Sequence, residues 1–101
     1  MTAKIYSISE IKNIVAPIAK HYGVDRVYLF GSYARGDATA GSDLDFRIDR
    51  GSLRGLLALG GMYQELQQNF GKKLDLLTTA SLDKGFLQNI AGEEILIYEA
   101  S

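Results

Sequence analysis

The sequence contains no cysteine, only one histidine and only one proline. Without cysteine there is neither a disulfide framework nor a thiolate metal centre, and a zinc site would have to be built around His21 alone, against the metal's preference for four ligands. Long apolar runs are missing too. No stretch approaches the ~20 apolar residues that cross a bilayer, and the opening "MTAKIYSISEIKNIV" lacks the apolar core of a secretion signal. The expectation is a cytoplasmic protein with no membrane contact. Nor is there an excess of charge: eleven Lys and Arg against twelve Asp and Glu leave a net charge of -1, which argues against broad attraction to duplex nucleic acid.

What is present is the composition of an ordinary globular chain. At 47% hydrophobic and 23% charged residues, it falls outside the disordered, fibrous and membrane classes. Its 101 residues suit one domain over 1–101, with room for a modest core, since a domain this small buries only somewhat more than ~60% of its unfolded surface.

Apolar residues at helical spacing predict a helix over Ser9–Lys20, with Ser7 or Ser9 as its cap, a kink or restart at Pro17 and an end by Gly23. A β-branched and aromatic run over Val24–Phe30 predicts a strand that stops at Gly31. Ser32 and Gly36 bracket one or two helical turns. In "SDLDFRID" the alternation is strict, so Leu44, Phe46 and Ile48 share one face, and Asp43, Asp45, Arg47 and Asp49 share a wet one. A helix follows over Ser52–Phe70, its apolar stripe including Leu53, Leu56, Leu57 and Leu59, with Gly60 and Gly61 suggesting close packing. "KKLDLLT" is a third strand that turns Asp75 away from the core, and a helix over Ser81–Ala91 and the strand "EILIY" complete the chain. This α-β-α-β-α-β-α-β order predicts an α+β or α/β fold, a small mixed sheet packed with helices.

The stretch "GSYARGDATAGSDLD" carries the chemistry. Two carboxylates at i and i+2 of a strand project from one face and repel each other unless a cation sits between them. Magnesium prefers hard oxygen ligands, accepts one or two carboxylates and fills its shell with waters and phosphates. Asp75, on the wet face of a neighbouring strand ~4.8 Å away, could join them. A strand ending at Gly31 and a turn beginning at Ser32 would aim free backbone N–H groups at an anion. A phosphate cradle beside a carboxylate cluster suits phosphoryl or nucleotidyl transfer. Arg35 is open to two roles, gripping a phosphate or tying down the short helix. Arg47 is open to two as well, pairing with the aspartates or touching a nucleotide. Tyr33 belongs either to the core or to the nucleotide's border, whereas His21 suits a helix C-terminus.

With Gly31-Ser32, ten residues, then Asp43-Leu44-Asp45 and a later Asp75, the sequence resembles the minimal nucleotidyltransferases of the DNA polymerase beta superfamily over most of its length. The resemblance implies the nucleotidyltransferase fold and the transfer of a nucleoside monophosphate, AMP from ATP in particular, with two magnesium ions. It implies that Asp43, Asp45 and Asp75 hold the metals, that Asp75 helps deprotonate an acceptor hydroxyl, and that Gly31 and Ser32 hold the triphosphate with Arg35 and Ser42 beside them. Short members are commonly antitoxins that bind a HEPN-domain ribonuclease toxin and, in some systems, add AMP to its tyrosine. A hetero-oligomer with such a toxin is therefore expected. The alternatives are an antitoxin that neutralises its partner by binding alone, and a nucleotide sensor without transfer.

Overall fold

The computed structural model describes residues 4–101. Ser7 opens the first helix, α1 (Ile8–Tyr22), with a reciprocal capping box in which its hydroxyl accepts from the Glu10 amide and the Glu10 carboxylate accepts from its own. Pro17 neither breaks nor restarts α1. It lies on the exposed side, as does Asn13 one turn earlier, so water can serve the carbonyl that proline leaves without a donor. Gly23, at φ 74°, closes the helix in the left-handed conformation.

Four strands follow among the described residues: β1 (Arg26–Phe30), β2 (Leu44–Asp49), β3 (Leu74–Thr78) and β4 (Ile95–Glu99), ordered β3-β2-β1-β4 in one mixed sheet. β1 runs antiparallel to both β2 and β4, whereas β2 and β3 are parallel. The parallel pair needs a crossover, and α3 (Gly55–Phe70) supplies it. A four-residue helix, α2 (Ser32–Arg35), lies between β1 and β2, and α4 (Lys84–Ala91) joins β3 to β4 after a short turn at Thr79–Ser81.

One face of the sheet carries the core. Val27, Leu29, Leu44, Phe46, Ile48 and Leu74 are buried against Ile11, Val15 and Ala19 of α1 and Met62, Leu66 and Phe70 of α3. The Tyr6 ring meets Phe70 edge-on and its hydroxyl donates to the Phe70 carbonyl, which fastens the N-terminal segment over the end of α3. Gly61 fits the packing reason expected of it, because a Cβ there would come within 3.1 Å of the Tyr22 hydroxyl; at Gly60 the space is open.

Two expectations need correction here. α3 starts at Gly55 rather than Ser52, and Leu56 and Leu57 are 83% and 94% exposed. The helix is apolar over more than one stripe at its start, and periodicity alone does not say which stripe meets the core. The second correction concerns the face opposite the core, expected to be wet: Arg47 on that face is only 9% exposed. The elements after β3 fold back across it, with Phe86 of α4 edge-on to Phe30 of β1 at 5.9 Å.

The two ends of α3 should therefore respond oppositely to truncation. Leu66→Ala should cost about 2–5 kcal/mol, and Leu57→Ala less than about 0.5 kcal/mol. Urea unfolding of both variants checks this, and equal losses would contradict the burial pattern.

Candidate active site

The register brings the aspartates together. In the parallel β2–β3 pair Asp45 stands opposite Asp75, and in the antiparallel β1–β2 pair it stands opposite Phe30, next to the turn at Gly31. Asp43 lies one residue before β2. The Asp45 carboxyl is pushed up to about 6, first by partial burial, then by the charge of Asp75 and a hydrogen bond shared with it, then by the charge of Asp43; Arg35 opposes the shift. Negative charge is thus gathered with little cationic relief. Among the described residues no three carboxylate or imidazole groups form a ready-made metal cage; Asp45 and Asp75, directly opposite each other in register, are the carboxylates placed to share a hard cation.

Gly31 is fixed by this neighbour. Its φ of 77° lies in the left-handed region, and a Cβ would stand 2.3 Å from Oδ2 of Asp45, so only glycine lets the carboxylate lie against the turn. Ser32 begins α2, and its carbonyl accepts from the amides of Gly36 and Asp37 at 3.0 and 3.1 Å, which pins the far side of the turn. Arg35 ends α2 and faces two carboxylates, Asp37 at 3.4 Å and Glu93 at 3.5 Å. Ser42 is spent on its own loop: its hydroxyl accepts from the Thr39 amide at 2.8 Å. Tyr33 takes the core role, being buried with its hydroxyl accepting from Lys72 at 2.9 Å. His21 sits in the last turn of α1, edge-on to Tyr22.

Arg47 pairs with one aspartate of its strand, Asp49, but its main contacts lie elsewhere. Its guanidinium forks onto Glu94 at 2.6 and 2.8 Å, donates to the Thr79 hydroxyl at 2.6 Å and lies over the Tyr28 ring at 4.1 Å. Its one contact with the aspartates is Asp49, at 3.5 Å. This is a buried structural clamp on the β2 face.

The residues that sequence reasoning missed are Glu93 and Glu94, in the turn between α4 and β4. Oε1 of Glu93 accepts the Gly31 amide at 3.3 Å. The available signal was slight: two adjacent carboxylates follow Gly92, and Arg35 and Arg47 are the arginines flanking the Asp43–Asp45 strand start.

The raised Asp45 carboxyl has a sign that can be checked. A carboxyl whose affinity for protons rises on folding contributes stability that is present at acid pH and lost as pH climbs through about 6. In magnesium-free buffer Asp45→Asn should therefore be more stable than the unsubstituted chain at pH 7.5, with the gap closing toward pH 4. Urea unfolding at both values tests this, and a gap that widens toward acid would reverse the assignment.

Three comparisons bear on this arrangement. Over 88% of this chain and 96% of its own length, a Methanocaldococcus jannaschii protein named "Putative protein adenylyltransferase MJ0435" is 36% identical. A toxin–antitoxin structure with AMP-PNP superposes with a TM-score of 0.75 at 20% identity, over 89% of this chain and 74% of that one. A complex of a tri-AMPylated Shewanella oneidensis HEPN toxin with its MNT antitoxin superposes with a TM-score of 0.70 at 17% identity, over 92% and 73%. At those identities the two structures speak to the fold, the same mixed sheet with helices. The family described as polymerase beta nucleotidyltransferase matches residues 12–101, a span that holds the Gly31 turn and all three aspartates, and the chain belongs to that family.

Proposed function

We propose that this chain is a magnesium-dependent protein adenylyltransferase that moves AMP from ATP onto a hydroxyl, a tyrosine, of a HEPN ribonuclease toxin, and acts as that toxin's antitoxin. The observation that carries the reading is the in-register Asp45–Asp75 pair beside the glycine turn. Support for the acceptor class comes from the adenylyltransferase name of the relative and from the AMPylated toxin bound in the structural neighbour.

The donor set suits magnesium. Carboxylate oxygens are its preferred ligands, it needs only one or two of them from the protein, and the raised Asp45 carboxyl marks a place where a cation relieves repulsion. Asp45 and Asp75 would hold it, with Asp43 completing the set. Bound there, the metal would supply charge stabilisation for the triphosphate and activation of the attacking oxygen.

The chain's own residues do the rest. The Gly31–Ser32 turn and Arg35 orient the triphosphate, so that the acceptor oxygen attacks the α-phosphorus in line with the departing pyrophosphate. One P–O bond forms at the acceptor as the α–β bridging P–O bond breaks. Asp75, exposed on β3, takes the hydroxyl proton. Ser42 acts indirectly, by holding the loop that leads into Asp43.

Co-expression with a HEPN partner from the same locus, followed by intact mass measurement after incubation with magnesium and ATP, tests the reading. The partner should gain the mass of one or more AMP groups. Asp43→Asn and Asp45→Asn should each lower the transfer rate by about 10²–10³-fold while the complex still forms on a sizing column. A stable complex with no mass gain from the unsubstituted chain would instead assign neutralisation to occlusion alone.

A further inference from the structure

Beside Asp45, a second acidic side chain, Glu93, is placed against the turn that should receive the nucleotide's phosphates, and it is the one that takes the Gly31 amide. Its Oε1 accepts the Gly31 amide at 3.3 Å, and both of its oxygens lie 3.5 Å from Nη1 of Arg35. An amide and a guanidinium converging on one carboxylate are the donors that would converge on a phosphate oxygen. We propose that Glu93 is an internal competitor for the triphosphate, a carboxylate that holds the phosphate position and must swing aside for ATP to bind. This rests on the reading of the Gly31–Ser32 turn as the triphosphate site.

The surroundings limit how Glu93 can leave. The amides of Glu93 and Glu94 both donate to the Ile90 carbonyl, at 3.0 and 3.1 Å, which fixes the backbone on the end of α4. Glu94 is locked by the buried fork from Arg47. The loop is therefore anchored on both sides of Glu93 and only the side chain is free to rotate. That side chain is 27% exposed and Arg35 is 48% exposed, so the pair is weak and opens at little cost. The competitor lowers apparent affinity by the fraction of time it occupies the turn, about two- to fivefold for an exposed pair of this length. Arg35 gains a second role from this arrangement, because the same guanidinium passes from carboxylate to phosphate without losing its partner.

The test combines two readouts on the full chain and its Glu93→Gln and Glu93→Ala variants. In ¹H–¹⁵N spectra recorded before ATP is added, the Gly31 amide should shift in both variants, as it loses a charged acceptor. In calorimetric titrations with ATP and magnesium, both variants should bind about two- to fivefold more tightly than the unsubstituted chain. ATP binding that is unchanged or weaker in the variants, with the unsubstituted chain binding normally, would overturn the inference and leave the nucleotide reading standing. Absence of ATP binding by all three proteins would overturn the nucleotide reading and the inference with it. A Gly31 amide that ignores both substitutions would show that Glu93 does not hold the turn, and would likewise overturn the inference.

Discussion

Everything at the site depends on the parallel register of β2 against β3, which sets Asp45 beside Asp75. Like charges directly opposite one another destabilise a sheet, so the register has to be enforced from elsewhere. It is enforced from the other face, where Leu44 and Leu74 pair in the same register and are both buried beneath α1 and α3. A slip of one residue would turn those leucines outward and drive an aspartate into the core. The hydrophobic side of the sheet thus holds together a charge arrangement that would not assemble on its own merits.

Glycine 31 translates that register into a usable shape. The carboxylate of Asp45 lies where a Cβ of residue 31 would be, so backbone turn and acid share a volume that no other residue type leaves open. The close approach has an electrostatic side as well, because a carboxylate pressed against the chain is partly stripped of water and holds its proton more tightly. Steric fit and the largest part of the raised proton affinity thus share the burial of this carboxylate.

Much of this was legible in the sequence, and the exceptions have physical causes. Strand alternation put Asp45 and Asp75 on one face because period two is a property of the backbone, independent of what packs on top. Leu56 and Leu57 read as core because a helical period identifies stripes and not their coverings. Arg47 read as wet because the same alternation assigns a face without saying whether later chain will cross it; Glu94, 47 residues on, does so. Glu93 meets Gly31 across 62 residues, through a turn whose course depends on where α4 ends. No local pattern encodes such a meeting, although a carboxylate that becomes buried, as Glu94 does, needs a cationic partner.

Arg35 and Arg47 differ in how much water surrounds their ion pairs. Arg47 and Glu94 are each 10% exposed, so dissolved ions have little access to them, whereas the Arg35–Glu93 pair is open to bulk electrolyte. Ionic strength consequently acts on one and spares the other. Rising salt loosens the outer contact while the inner fork keeps the loop in place, and the same screening would weaken the proposed attraction between Arg35 and a triphosphate. For the nucleotide capture proposed above, the two effects oppose each other, which would leave the turn less sensitive to the electrolyte than a lone exposed arginine.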